Sequence, residues 1–238
     1  MALDMNGSLA SSSSAKYAAD WLISIQNPSV GGWGFYEDDK ECHLLSTGYV
    51  IRILTKVTAS DNNKRESSIE SGRQFIMKCL NNETGGFGPK VGEKPTNVHT
   101  ALAILALLST GTSVLAPEIV RARKWVLENI DIPSGEQDYY VAPRQGTHGP
   151  GRRIDHTNFN DGIVLHALMK SMSNPKQDLL DPAIKKFIGK VIRGQDQAKV
   201  GDPSGYWEDP FKPEVKPIYT IMDACFGLRY FIDSLFRI

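Results

Sequence analysis

The chain has 238 residues, 41% of them hydrophobic, with 27 Lys plus Arg set against 27 Asp plus Glu. That length can bury a large core without disulfides or metal, and a net charge of zero excludes bulk electrostatic steering to nucleic acid or an anionic membrane. Three widely spaced cysteines, Cys42, Cys79 and Cys225, fit a reducing compartment better than a disulfide framework; no apolar run approaches the ~18 residues of a membrane span, so the expected location is cytoplasmic.

Residues 1–15, "MALDMNGSLASSSSA", lack the basic head and apolar run of a signal peptide and are expected to be a disordered leader or an expression remnant. The remainder, 16–238, is expected to be one domain, because four stretches repeat a single plan. The first, about 16–57, opens with "AADWLISIQ", turns through "NPSVGGWGFYEDD" and closes with "LLSTGYVIRIL". The second, about 68–110, runs "SGRQFIMKCL", "NNETGGFGPK" and "NVHTALAILALL". The third, about 118–172, has "RARKWVLENI", "DIPSGEQDYYV" and "NFNDGIVLHALM"; the fourth, about 182–236, has "AIKKFIGKVI", "DPSGYWEDP" and "YTIMDACFGLRYF". Polar linkers, "TASDNNKRESS" and "SMSNPKQDLLD", supply residues able to cap the helix that follows.

In each unit the first helix carries one large aromatic, Trp21, Phe75, Trp125 or Phe187, on an apolar stripe opposite Lys, Arg and Glu, so it can face water on one side. The second helix has no charged stripe, most plainly in "ALAILALL", and must be covered all round. Two layers satisfy both demands, with second helices inside and first helices outside. Glycine in the turn permits positive φ and close backbone approach, and the ring beside it can stack on the neighbouring unit, stapling one repeat to the next.

"WLISIQNPSVGGWGF" resembles the Gln-Trp repeat of squalene and oxidosqualene cyclases. "TGGFGPKVGEKPTNVHTALAILALL" resembles the repeat shared by those cyclases and the β subunits of protein prenyltransferases. The likeness covers most of residues 16–236, with a degenerate third repeat. It implies an all-α fold, an α/α toroid: a double-layered barrel of helical hairpins whose inner helices aim their N-terminal ends at a central cavity. The family's full barrel has about six hairpins and four are legible here, so the chain is an open arc, hides a hairpin in its irregular segments, or belongs to something larger.

The cyclase branch protonates an alkene or epoxide with an acid held in an Asp-x-Asp-Asp motif at an inner-helix mouth. In the second repeat the matching positions are Thr96, Asn97, Val98 and His99, followed by Thr100 and Ala101, so none of the three aspartates is present. The third repeat, "RIDHTN", places Arg153, Asp155 and His156 on the motif. The resemblance would make Asp155 the catalytic acid with His156 tuning it; the favoured reading makes Asp155 a helix cap. The acidic run "YEDDKE" lacks the spacing and is expected to be a solvated surface turn. The prenyltransferase branch uses zinc, and "IMDACFGL" offers Asp223 and Cys225, with His156 or His99 as a third ligand. Residues two apart on a helix point about 200° from each other, a poor chelate, and in the family the histidine lies a repeat further on, where this chain has ended. Cys225 is read as a small core residue and Asp223 as lining the cavity. No cofactor is therefore expected, with zinc as the alternative.

His166 sits on an apolar face and is read as a core histidine; Trp33, Phe35, Phe87, Tyr140 and Trp207 are read as loop staples. Asn97, His99, Asn158, Asn160 and Asp161 gather at inner-helix mouths, where free N–H groups favour an anionic or polar ligand. The insertion at 134–161 holds Tyr139, Tyr140, Arg144, Arg152 and Arg153, residue types favoured at interfaces, and "WEDPFKPEVKPIYT" is a second long loop on the same expected rim. The expectation is a non-catalytic binding or regulatory module. It would recognise a protein, a peptide or a hydrophobic or isoprenoid small molecule, and no nucleic acid. Its expected contact residues are Asn97, His99, Tyr140, Arg144, Arg152, Arg153, Asn160 and Asp161. The alternatives are a terpenoid cyclase-like or protein prenyltransferase-like enzyme acting on a polyprenyl substrate, and a fragment of a larger toroid-containing protein.

Overall fold

A computed structural model describes residues 12–37, 39–130, 139–141, 153–155, 159–194, 228, 229 and 232. These are mostly helical: α1 Ser13–Ser24, α2 Leu44–Leu54, α3 Asn62–Lys78, α4 Asn97–Ser109, α5 Pro117–Asn129, α6 Phe159–Lys170, the short α7 Pro175–Asp178, and α8 Pro182–Gly194. Between α5 and α6, Tyr139–Val141 (β1) pairs antiparallel with Arg153–Asp155 (β2). This ribbon lies within the insertion at 134–161, which was expected to be a long loop.

The helix starts follow local chemistry. Ser12 accepts from the Ala15 N–H, Asp61 from Asn63 and Lys64, and Thr96 from His99, while Pro117 opens α5; each satisfies or removes donors that a first helical turn leaves free. Asp61 also corrects a boundary. The polar run 58–68 was expected to link two units, yet α3 begins inside it at Asn62. That first turn faces water and buries nothing before Ser68, so it carries no apolar periodicity for a pattern to detect.

The helices sort into two layers. α4 packs between α2 and α6, and α3, α5 and α8 lie against this row, α3 on α2 and α4, α5 on α4, and α8 on α6. α1 packs on α3 and α2. Residues Asn97 through Leu107 of α4 are all buried, as a helix apolar on every side requires. The surrounding helices each bury one stripe: Ser68, Gly72, Phe75 and Ile76 on α3; Ile119, Ala122, Trp125 and Val126 on α5. Gly48 of α2 lets α4 come close, since a Cβ there would stand 2.7 Å from Leu102 Cγ. Leu228 packs against the same core.

The first two units repeat their turns bond for bond. Asn27 accepts from Ser29 and Val30 with its side chain, donates its own N–H to Gly32 O, and receives Gly31 N–H on its carbonyl. Asn81 does the same with Glu83, Thr84, Gly86 and Gly85. Gly31 and Gly85 have φ of 87° and 86°, a left-handed conformation that glycine adopts without a Cβ penalty. The aromatics that follow are buried and tied to the second helix: Thr47 Oγ1 accepts Trp33 N–H at 2.9 Å, and Thr100 Oγ1 accepts Phe87 N–H at 2.9 Å.

Each turn is also clasped by the first helix of the next unit. A Cβ on Gly31 would meet Ser71 O at 2.8 Å and one on Gly32 the Phe75 ring at 2.9 Å; on Gly85 it would meet Arg121 Cβ at 2.9 Å and on Gly86 the Trp125 ring at 2.7 Å. The stapling expected of Trp33 is seen where its ring lies over Gly72 of α3, whose Cβ would stand 2.8 Å from Cζ3. Gln26 adds a polar tie, donating to Gly31 O at 2.6 Å and to Ser68 O at 2.9 Å.

Candidate functional site

The equivalent turns bring the N-terminal ends of α2 and α4 together. Leu44 N–H, at the start of α2, donates to Pro89 O in the loop leading to α4 at 2.9 Å, and Lys90 pairs with Glu41 across the same gap. Four polar side chains collect here, His43, Thr96, Asn97 and His99, and all are buried.

Thr96 Oγ1 accepts His99 N–H at 3.3 Å and lies 2.7 Å from His99 Nδ1. Burial, with the charge of His43 adding to it, presses the His99 pKa down to about 3. Burial and the nearby Lys90 ammonium press His43 to about 4. Both rings are therefore neutral at neutral pH. His43 stacks at a tilt on Phe35, ring centroids 4.5 Å apart, and its buried Nε2 has no hydrogen-bond partner among the described residues. Asn97 donates from Nδ2 to Asn129 O at the end of α5 at 3.1 Å, and its buried Oδ1 has no partner among the described residues. Two buried polar atoms without partners at adjoining helix mouths are costly unless something meets them.

The expected contact residues divide into three groups. Asn97 and His99 lie in the first turn of α4, buried beneath the α2–α4 junction rather than open on a rim. Arg153 and Asp155 lie in β2, opposite Val141 and Tyr139, and Tyr140 lies in β1 opposite Ile154; Asn160 and Asp161 are in the first turn of α6. Arg144, Arg152, His156, Asp223 and Cys225 fall outside the described residues, as do Asn158 and Trp207. Among the described residues there is no cluster of three or more His, Cys, Asp or Glu arranged to hold a metal, and no helix is long and apolar enough to cross a membrane. Burial raises the Cys42 thiol and pushes Cys79 up to about 12, so neither is poised as a thiolate nucleophile.

The sequence reading missed His43. Its clue was positional: His43 N–H donates to Trp33 O just as Thr96 N–H donates to Phe87 O, so the two residues are equivalents in successive units. The run "YEDDKE" also does more than face solvent. Asp39 Oδ2 accepts from Phe35 and Tyr36 N–H at 2.7 and 2.9 Å, and Glu41, held below the usual carboxylate range by the hydrogen bond from Lys90, joins the two loops. A second surface feature lies on the other side of the first turn, a cleft of about 570 Å³ walled by Trp21, Leu22, Trp33, Phe35, Tyr36 and Tyr49.

No protein-family model matches the chain, and no curated protein matches its sequence.

Proposed function

We propose that the chain is a toroid-type binding module that takes a protein or peptide segment at the mouths of α2 and α4 and the rim loops around them. The observation that carries this reading is the pair of buried, unpartnered polar atoms, His43 Nε2 and Asn97 Oδ1. Both atoms lie beneath the loops that Glu41 and Lys90 join, so a segment reaches them as those loops part; Asn97 Oδ1 then takes a donor, and the neutral His43 ring supplies one donor or one acceptor, both of which a peptide backbone offers in a fixed relation. The partial positive charge of two helix N-termini adds attraction for a carbonyl or carboxylate. The two-layer order of α2, α4 and α6 beneath α3, α5 and α8 supports the toroid reading. The non-catalytic reading is supported by the chemistry of Thr96, Asn97, Val98 and His99: a neutral, buried imidazole is no acid for an alkene.

Selection of a displayed peptide library on the wild-type chain, counter-selected on an Asn97→Ala variant, tests this. Enriched peptides should bind the wild type in calorimetric titration and lose about tenfold or more in affinity to Asn97→Ala and to His43→Phe, the cost of about one buried hydrogen bond. Failure of any peptide to enrich, or equal binding to all three proteins, would remove the proposal.

A further inference from the structure

The cleft beside the first turn is walled by α1, the loop at 33–37 and α2, and its walls are tied in place. Trp33 Nε1–H donates to Leu22 O at 2.7 Å, fixing the turn to α1. Asp39 Oδ2 gathers the Phe35 and Tyr36 N–H groups, and Gly34 leaves room for that carboxylate, since a Cβ there would run into Asp39 Cβ. At about 570 Å³ the cleft falls within the ~300–1,000 Å³ typical of small-molecule sites. Trp21, Trp33, Phe35, Tyr36 and Tyr49 line it, and Glu37 is the one charged residue among the described residues of the lining. Trp21 and Tyr36 are the most exposed of these rings, at 52% and 37%. Among the described residues no Lys or Arg pairs with Glu37. One ring of the wall already attracts a cation: Arg52 Cζ lies 5.7 Å from the Tyr49 ring centroid, within the ~6 Å over which a ring quadrupole acts.

We propose that this cleft binds a methylated ammonium group, held by the rings of Trp21 and Tyr36 with the Glu37 carboxylate as its counter-charge. Charge and hydration select the ligand. Glu37 repels an anion, and a bare ammonium keeps its water because its three donors need acceptors that aromatic rings do not supply. A methylated ammonium has no such shell to lose: its methyl groups bury against the rings while its positive charge meets their negative faces. The Trp33 indole N–H is already committed to Leu22 O, so that ring offers the ligand apolar surface rather than a donor. The volume exceeds what the cationic head alone requires, leaving room for the chain that carries it, whether a free small amine or a methylated lysine side chain. The site is separate from the peptide reading of the α2–α4 mouths and does not depend on it.

Titration of the full chain with choline, followed by tryptophan fluorescence and by saturation-transfer NMR, tests the proposal. Choline should bind saturably, and its neutral isostere 3,3-dimethylbutan-1-ol, which has the same shape without the charge, should bind about fivefold more weakly or less. Trp21→Leu, which keeps apolar surface and removes the ring, and Glu37→Gln should each weaken choline by about threefold to tenfold. Glu83→Gln, which neutralises an exposed carboxylate on the equivalent turn of the second unit, should bind as the wild type. A short peptide bearing trimethyllysine, set against the same peptide with lysine, separates the two sources: tighter binding than choline assigns the cation to a modified chain, and binding no tighter assigns it to a free amine. Absence of saturable binding by both choline and the trimethyllysine peptide would overturn the proposal, as would an isostere as tight as choline, an unchanged affinity in Glu37→Gln, or an equal loss in Glu83→Gln. Should Trp21→Leu unfold, Glu37→Gln, at an exposed loop position, still decides it.

Discussion

Residue identity at the α2–α4 junction sets a pH dependence with a definite sign. His43, His99 and His166 are held at about 4, 3 and 3, each chiefly by burial, against an ordinary value of 6.5. The folded chain therefore binds fewer protons than the unfolded chain once the pH drops below about 6.5. Their contribution is intact above that pH and is lost as the pH falls toward 4, by about 1.4 kcal/mol per pH unit for each ring. The melting temperature should decline between pH 6.5 and 4.5, and His99→Gln should reduce that slope by about a third, since it removes one of three titrating rings. An unchanged slope in His99→Gln would show that burial does not hold that ring neutral. Sequence made only part of this junction legible. Asn97 and His99 stood out because polar residues at the head of an apolar helix are conspicuous. Their burial did not, because it goes with contacts to other elements, such as Asn97 with Asn129 O at the end of α5, and His43 was hidden because its place beside His99 joins residues more than 50 positions apart.

Among elements, the turns are the parts that sequence specified best. Asn-x-x-x-Gly-Gly-aromatic occurs at residues 27–33 and 81–87, and the structure gives both the same hydrogen bonds, the same positive φ and the same clasp by the next helix. α2 and α4 were equally legible, as apolar runs between a turn and a polar linker. The start of α3 was not, since its exposed first turn obeys Asp61 rather than any periodicity, and neither was the β1–β2 ribbon, whose pairing joins residues 12 to 16 apart. The glycines yield a comparative prediction. Gly86→Ala would drive a methyl to 2.7 Å from the Trp125 ring and 2.6 Å from Pro95 Cβ, and overpacking of that kind costs about 1–3 kcal/mol. Gly92 has a φ of 81° with nothing within 4 Å of its Cβ position, so Gly92→Ala should cost only the left-handed strain, about 1–2 kcal/mol. The clasp makes a second difference. In chemical denaturation Gly86→Ala should loosen α5 from the second turn and lower the denaturant slope, while Gly92→Ala shifts the midpoint alone.

At the scale of the whole molecule, stability is graded along the layers. α4 is covered by α2, α6, α3 and α5, whereas among the described elements α1 packs chiefly on α2 and α3 and buries Ala19 alone. Native-state amide exchange should find the slowest amides in Leu102–Leu107 and the fastest helical amides in α1, with α3 and α5 between them; exchange as slow in α1 as in α4 would contradict the layered order. The clasp between successive units also has a direction. Gly31 and Gly32 are closed by Ser71 and Phe75, and Gly85 and Gly86 by Arg121 and Trp125, so both of these turns are latched by something translated later than themselves. During synthesis the first two hairpins therefore emerge from the ribosome unlatched, each waiting for the helix that follows it.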